Sequence, residues 1–409
     1  MELRLTCDEC GKGFPIDDLI YRCPRDDYPL EVAYDYDELA TTLDRETFKK
    51  RAWNMWRYRE LLPIEDESSI ITLGEGGTVL LKSKRLAASL GLRNLYLKDE
   101  TRNPTWSFKD RGSSVGVTKG IEIGSNGVGC VSTGNMAASL ATYAALAGLR
   151  TLVLIRTGVP SEKIVHMLIC GAGVVAVDRP YPELYQIGLE LAEQFRIYWV
   201  HSDAPMRVEG QKTSSIEICE QLGWVVPDKI IAPTSSGGNM SALWKGWTDL
   251  FRTKLIDEKP AMVAIQNAAV APIYSAYKLG KSVVDPVIEK PTIAKSIDNP
   301  NPPSGLRALR ALQQSKGLAE VVNDDEMLNA QRLLARTEGI FAEPGAAAAI
   351  AGLVKLVDQG LIERDELVVA EITGAGLKDV KSASRIAGQP KEAASKEELL
   401  HILSSFLRS

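Results

Sequence analysis

One lysine stands in a setting that could do covalent chemistry. Lys109 lies in the run Asn103-Pro104-Thr105-Trp106-Ser107-Phe108-Lys109-Asp110-Arg111-Gly112, where proline and glycine bracket a turn that opens a helix. A lysine there is placed by the fold. Its amine condenses with aldehydes to give a Schiff base, which points to an aldehyde cofactor. Taken alone the lysine reads as a solvated cation, and three further segments change that reading.

Each of the three follows a strand-like run. Ser132-Thr133-Gly134-Asn135 opens a helix, and free N–H groups at a helix start bind carboxylate or phosphate. Gly134 would allow an unusual backbone angle there. Ser235-Ser236-Gly237-Gly238-Asn239 is a second strand-to-helix turn, built as a phosphate cradle. It matches neither nucleotide fingerprint, G-x-x-x-x-G-K-[ST] or G-x-G-x-x-G, so ATP and NAD are disfavoured. Thr373-Gly374-Ala375-Gly376 sets a hydroxyl beside small residues that let a flat ring approach. A lysine for an aldehyde, a loop for a phosphate and a hydroxyl for a ring nitrogen are together the requirements of pyridoxal 5′-phosphate.

These segments need a frame. Short apolar runs at 95–97, 129–132, 151–155, 173–177, 198–200, 229–232, 261–265 and 368–372 alternate with helical stretches such as 137–147, 182–194 and 325–337. That alternation predicts an α/β fold with mostly parallel sheets, several strands being buried on both faces. So many strands imply two sheets, hence two α/β domains around a central cleft, with ligands at the strand ends. The divisions read as a ribbon-like segment 1–45, a larger α/β domain from 46–102 with 196–409, and a smaller one from 103–195. Residues 45–66 carry Trp53 and Trp56 at helical spacing and predict an amphipathic helix ended by Pro63. The proline- and asparagine-rich stretch 290–304 predicts a loop lining something, and 395–407 a short docking helix.

Cys7-x2-Cys10 is followed, twelve residues later, by Cys23 and Asp26. Two paired knuckles are the pattern of a zinc ribbon, with Asp26 where a fourth cysteine is usual. Two readings stand: a zinc site, and a degenerate ribbon packed by Tyr21, Tyr28 and Leu30. Cys130, Cys170 and Cys219 sit in apolar runs and read as buried small hydrophobes in a reducing compartment.

The net charge of −5 leaves no basic excess for a nucleic-acid backbone. Only three histidines, His166, His201 and His401, weaken Ser–His–Asp chemistry and histidine metal sites. No stretch approaches the ~20 apolar residues of a membrane span. The N-terminus lacks the basic-then-apolar order of a signal peptide, so a cytoplasmic protein is expected.

At this point the chain resembles a known family, the threonine synthases within the tryptophan-synthase-β-like, fold type II pyridoxal-phosphate enzymes. The resemblance runs over 73–379. It rests on Leu73-Gly74-Glu75-Gly76-Gly77-Thr78, the lysine run at 107–112, 132–135, 207–213, Gly238-Asn239 with Trp244-Lys245-Gly246, Glu343-Pro344, and 373–379. It implies Lys109 as the Schiff-base lysine and later acid/base, with Phe108 positioning that segment. Asn135 would meet the cofactor's 3′-oxygen, Ser235, Ser236, Gly237, Gly238 and Asn239 its phosphate, and Thr373 its pyridine nitrogen. Ser132, Thr133 and Asn135 would receive the carboxylate of a small amino-acid substrate, and Ser202 and Arg207 its phosphate. A hydroxyl at the ring nitrogen favours elimination or replacement over transamination. The implied reaction is O-phospho-L-homoserine plus water to L-threonine plus phosphate, in a homodimer.

Six positions depart from the family pattern. Met136 stands where threonine is usual, Ser236 where asparagine, Ala375 where histidine, and Trp106 where a small glycine is common. Pro344-Gly345-Ala346 replaces Pro-Ala-Ser. Met136 and Ser236 remove donors from the phosphate pocket. Trp106 would shorten the substrate side of the cleft, with Ala375 and Gly345 making room for it. A second reading therefore stays open: β-replacement or β-elimination on a shorter amino acid such as phosphoserine, serine or threonine.

Overall fold

Thirteen strands lie among residues 3–408, the residues that this computed structural model describes. They are β1 Arg4–Cys7, β2 Gly13–Pro15, β3 Leu30–Ala33, β4 Val79–Lys82, β5 Asn94–Asp99, β6 Gly127–Val131, β7 Thr151–Arg156, β8 Gly173–Val177, β9 Ile197–Trp199, β10 Lys229–Pro233, β11 Ala261–Asn267, β12 Leu318–Val322 and β13 Leu367–Ile372. They form three sheets. A six-stranded sheet has the order β12-β11-β10-β13-β5-β4, parallel except for β4 at its edge. A four-stranded parallel sheet has the order β8-β7-β6-β9, so its strands run past residue 195. A small antiparallel sheet, β2-β1-β3, builds the N-terminal ribbon.

All eight apolar runs coincide with strands of the two large sheets, those at 129–132 and 198–200 overrunning β6 and β9 by one residue. Ile230, Ile231 and Ala232 in β10, and Val368, Val369 and Ala370 in β13, are fully buried, because helices cover both faces of the sheet centre. Burying each such branched side chain contributes roughly 1.5–3 kcal/mol before entropy is counted. The helix Pro344–Asp358 can lie close to the sheet because its first turns are alanine. A Cβ on its Gly352 would stand 2.3 Å from Ile265 of β11. At the edge of the smaller sheet β8 is largely exposed, so full burial holds for the central strands only.

Two expectations are corrected. Residues 45–66 are not one helix: a short helix Arg45–Lys49 is followed by a 3-10 helix, Met55–Leu61. Asn54 breaks the run. Its backbone is extended, and its side chain accepts from the Trp56 N–H to start a new helix. The tryptophans therefore diverge. Trp53 is exposed and donates from Nε1 to the Gly77 carbonyl, while Trp56 is buried and donates to Glu75. The C-terminal helix Lys396–Arg408 forms but leaves Leu399, Leu400, Leu403 and Leu407 exposed, so these four leucines are not docked.

Candidate active site

The lysine turn is held by backbone first. Phe108 N–H donates to the Thr373 carbonyl at 3.1 Å, and Ala375 N–H donates to the Trp106 carbonyl at 3.0 Å. Ser107 bridges Gly374. The segment before Lys109 is thus paired to the loop leaving β13, and Lys109 opens the helix Lys109–Glu122.

A buried charge network locks that helix. Arg111, fully buried, donates to Glu100 at 2.7 and 2.8 Å and to Glu217 at 2.7 and 2.8 Å. Lys98 Nζ also reaches Glu217, at 2.8 Å. Against the upward push of burial, Arg111 and Lys98 hold the Glu217 carboxyl down at about 2. Removing one member of such a network costs about 3–5 kcal/mol, because a buried charge is left unpaired. Glu217 also accepts from Gly77 N–H, and Asn103 from Gly76 N–H. Gly76 has φ +77°, and a Cβ there would stand 2.6 Å from Glu217, so the 73–78 motif clamps the lysine segment and needs glycine to do so.

Lys109 itself is half-buried, and its ammonium makes no ion pair or hydrogen bond among the described residues. It lies over the Phe108 ring, 4.0 Å from the centroid. Burial pushes it well below the ordinary lysine range, and the Arg207 cation adds to that; Glu343 and Glu371 oppose it. An amine poised to be neutral is a nucleophile and a base.

Asn135 begins the helix Asn135–Ala147, just after the half-buried Ser132 and Thr133. Its Nδ2 donates to Glu343 at 3.0 Å. Gly134 has φ −129° and nothing near its missing Cβ, so it leaves the loop open rather than taking a left-handed angle. Thr373 is buried, and its hydroxyl has no hydrogen bond among the described residues.

The turn 235–239 joins β10 to the helix Gly238–Arg252. Gly237 has φ +87°, and a Cβ would stand 2.4 Å from the Ser304 carbonyl, so only glycine fits. Ser304 N–H donates to the Ser236 carbonyl at 2.9 Å, which shows what the loop 290–304 lines. The Ser202 carbonyl lies against Gly238, bringing that serine to the same turn. Asn239 Nδ2 donates to Glu371 at 2.5 Å, while its Oδ1 is buried without a partner. Glu371 is pushed up to about 7 by burial and then by Glu100.

Arg207 is buried in the helix Pro205–Gln221, 4% exposed, and makes no ion pair or hydrogen bond among the described residues. Burial lowers it to about 10, opposed by Tyr181, Cys130 and Asp203. Lys378 Nζ is likewise buried without a partner, and its charge bears on Lys109 and Glu343. Lys109, Arg207 and Lys378 thus share this region without an ion pair or hydrogen bond among the described residues.

Trp106 does not crowd the lysine. It is half exposed and lines a cavity of about 310 Å³ with Asp99, Arg102, Phe341, Ala375 and Leu377. Its φ is +64°, which gives glycine at this position a physical reason. Ala375 does share that cavity, but Gly345 makes room for Ser296, whose Oγ would stand 2.1 Å from a Cβ there. Met136 is buried in the apolar core. Glu100, Arg111, Glu217, Glu371 and Lys378 escaped sequence reasoning as positioning or site residues. Arg111 and Lys378 lay inside motifs already singled out, and the carboxylates carried no local signal.

In the ribbon, Cys7, Cys10, Cys23 and Asp26 bring one ligand atom each to within 4.8 Å of one another. Cys7 Sγ lies 3.4 Å from Asp26, and Cys10 Sγ 3.6 Å from Cys23 Sγ. Ligands of a tetrahedral zinc lie roughly 3.3–3.8 Å apart, given bonds of about 2.0–2.3 Å.

The fold agrees with the comparisons. The family described as pyridoxal-phosphate dependent enzyme matches residues 71–374. The processed form of threonine deaminase isoform 2 from Solanum lycopersicum superposes with a TM-score of 0.63 at 21% identity, covering 76% of this chain and 83% of that one. The chain belongs to the fold type II pyridoxal-phosphate dependent enzymes. A threonine synthase of Methanocaldococcus jannaschii is 44% identical over 94% of this chain and 95% of its own length. One of Methanosarcina acetivorans is 42% identical over 94% and 95%. Within its class, the chain therefore belongs to the threonine synthase family.

Proposed function

We propose that this chain converts O-phospho-L-homoserine and water to L-threonine and phosphate. One observation carries the choice of substrate: Arg207 is a buried guanidinium with no protein anion to pair with. An uncompensated buried charge is costly, and it is kept where a ligand supplies the missing anion.

The residues present fit pyridoxal phosphate. Lys109 is an unpaired amine, Arg207 keeps an orphaned buried Nε, and the Gly237 turn opens a helix start toward an anion. When bound, the cofactor supplies an aldehyde for an amine and an electron sink beside the substrate's α-carbon. Lys109 Nζ would hold the cofactor and serve as the base that takes the α-proton and returns it. The Phe108 ring, 4.0 Å from the lysine Nζ, would help to place it, and Asn135 would meet the 3′-oxygen. Ser235, Ser236, Gly237, Gly238 and Asn239 would hold the cofactor phosphate, and Thr373 would face the ring nitrogen. Ser132, Thr133 and the helix start at Asn135 receive the substrate carboxylate. Arg207 with Ser202 would hold the γ-phosphate as a Cβ proton leaves and the Cγ–oxygen bond breaks, releasing phosphate; Cγ would then gain a proton, and water would add its hydroxyl at Cβ and release its other proton.

The ribbon reading is a zinc site at Cys7, Cys10, Cys23 and Asp26, supported by the ligand spacing. We read the protein as a cytoplasmic homodimer with a ribbon at 1–45 and two α/β domains, the smaller running from 103 past the expected boundary at 195 to include β9. No helix among the described residues is long and apolar enough to cross a membrane.

The test gives the cofactor-loaded protein O-phosphohomoserine, phosphoserine, serine and threonine separately. Phosphate release, keto-acid formation and product mass are followed. Threonine and phosphate from the first substrate alone are expected. Turnover of a three-carbon substrate instead would overturn the reading and point to Met136 and Ser236 as the cause.

A further inference from the structure

We propose that Arg22 of the N-terminal ribbon is a positioning residue for the anion site. It neutralises Asp203, and so leaves Arg207 free for the substrate phosphate. The proposal rests on the reading of Arg207 given above.

Asp203 is fully buried and lies four residues before Arg207 in the chain, just ahead of the helix Pro205–Gln221. Its Oδ2 accepts from Arg22 Nη1 at 3.0 Å, and its two oxygens lie 2.8 and 2.9 Å from the Tyr185 hydroxyl. Among the described residues Arg22 is its one ion-pair partner. His201 offers no charge: burial holds it at about 4, so it is neutral, and its ring lies 4.3 Å from that of Tyr185. The field of Asp203 reaches Arg207, yet the two form no ion pair. Tyr181 and Cys130 are the other titratable groups facing Arg207.

Take Arg22 away, and a buried carboxylate keeps only a tyrosine hydroxyl. Arg207 is the remaining cation within electrostatic reach. An internal carboxylate would then compete with the substrate phosphate for the same guanidinium.

Arg22 is itself fixed on the ribbon. Its Nε donates to Asp27 at 2.7 Å, and Nη1 also reaches the Pro303 carbonyl at 3.5 Å, next to the Ser304 that packs on the phosphate turn. Trp199 N–H donates to Tyr21 at 2.7 Å, tying the ribbon to β9 just before Asp203. The turn that presents Arg22 is the one that carries Cys23 and Asp26. This gives the ribbon, otherwise remote from the chemistry, a physical link to it.

The experiment uses the full-length, cofactor-loaded protein. Arg22→Gln is expected to raise KM for O-phosphohomoserine and the inhibition constant of inorganic phosphate by about tenfold or more, with kcat and the cofactor's visible absorbance unchanged. Asp203→Asn in the same chain should restore both constants to within about threefold of the parent, and Arg22→Lys should lie between. Asp203→Asn alone should lower the phosphate constant, which tests the idea even where Arg22→Gln folds poorly. Unchanged phosphate inhibition in Arg22→Gln would overturn the proposal, as would a loss of kcat and cofactor that Asp203→Asn fails to reverse. A parent protein that neither turns over O-phosphohomoserine nor responds to phosphate would instead sink the functional reading itself.

Discussion

Replacing Arg207 by methionine should move stability and activity in opposite directions. Burial lowers this guanidinium from 12.5 to about 10, so holding it charged in the folded protein costs roughly 3 kcal/mol. Methionine keeps the straight stem that packs on Gly112, where a Cβ would stand 2.5 Å from Arg207 Cγ. With the charge gone and the stem kept, the protein without phosphate should gain about 1–3 kcal/mol. Substrate binding should lose the two bonds that a guanidinium gives an anion. At roughly 1.5–3 kcal/mol each, KM for O-phosphohomoserine would rise by about two to four orders of magnitude. The assay is a pair of thermal melts, with and without inorganic phosphate, beside steady-state kinetics. Phosphate should raise the melting midpoint of the parent and leave the variant unmoved, because a ligand stabilises only the state it binds. A variant that melts lower than its parent, or keeps KM within about threefold, would refute the reasoning.

Three further outcomes are expected. Gly237→Ala forces a side chain into a left-handed turn and against the Ser304 carbonyl, so cofactor affinity, read by titration of its absorbance, should fall about 100-fold or more while the helices survive by circular dichroism. Glu371 has a folded value of about 7 against an ordinary 4.5, so its contribution to stability is full below pH 4.5 and is lost as pH rises through 7. Glu371→Gln should therefore flatten the fall of melting temperature between pH 5 and pH 8, gaining up to about 3 kcal/mol at the upper end; parallel curves for both proteins would count against it. Purified protein should carry about one zinc per chain by elemental analysis, and Cys10→Ser should lose it, since the three sulfurs and Asp26 make one four-ligand cluster.

Much of the frame was legible because parallel strands buried on both faces leave continuous apolar runs. β5, β10, β11 and β13 are of that kind. β12 escaped because a glutamate interrupts it, and β4 because it is a four-residue edge strand with exposed ends. The break at Asn54 was hidden because Trp53 and Trp56 keep helical spacing across it, and a cap reads the same as a surface asparagine in sequence. In the site, lysine and glycine were legible as chemistry in turns. Carboxylates were not: Glu217 and Glu371 matter through partners 106 and 132 residues away, and a charged residue on a helix or strand announces nothing about a distant partner.

The departures from the family pattern gain meaning from where those residues sit. Met136 lies in the apolar core, so the missing hydroxyl at that position leaves no hole lined by polar groups. Ser236 is held through its carbonyl by Ser304, a bond that any residue could make. Neither change leaves an orphaned partner behind. Arg207 is the opposite case, because its cost remains until an anion arrives. A pocket that had abandoned phosphate would be under pressure to discard that arginine first, before exchanging two neutral donors worth roughly 1 kcal/mol each. Its retention beside Lys109, with Asp203 satisfied from elsewhere, is what favours a phosphorylated substrate over serine or threonine.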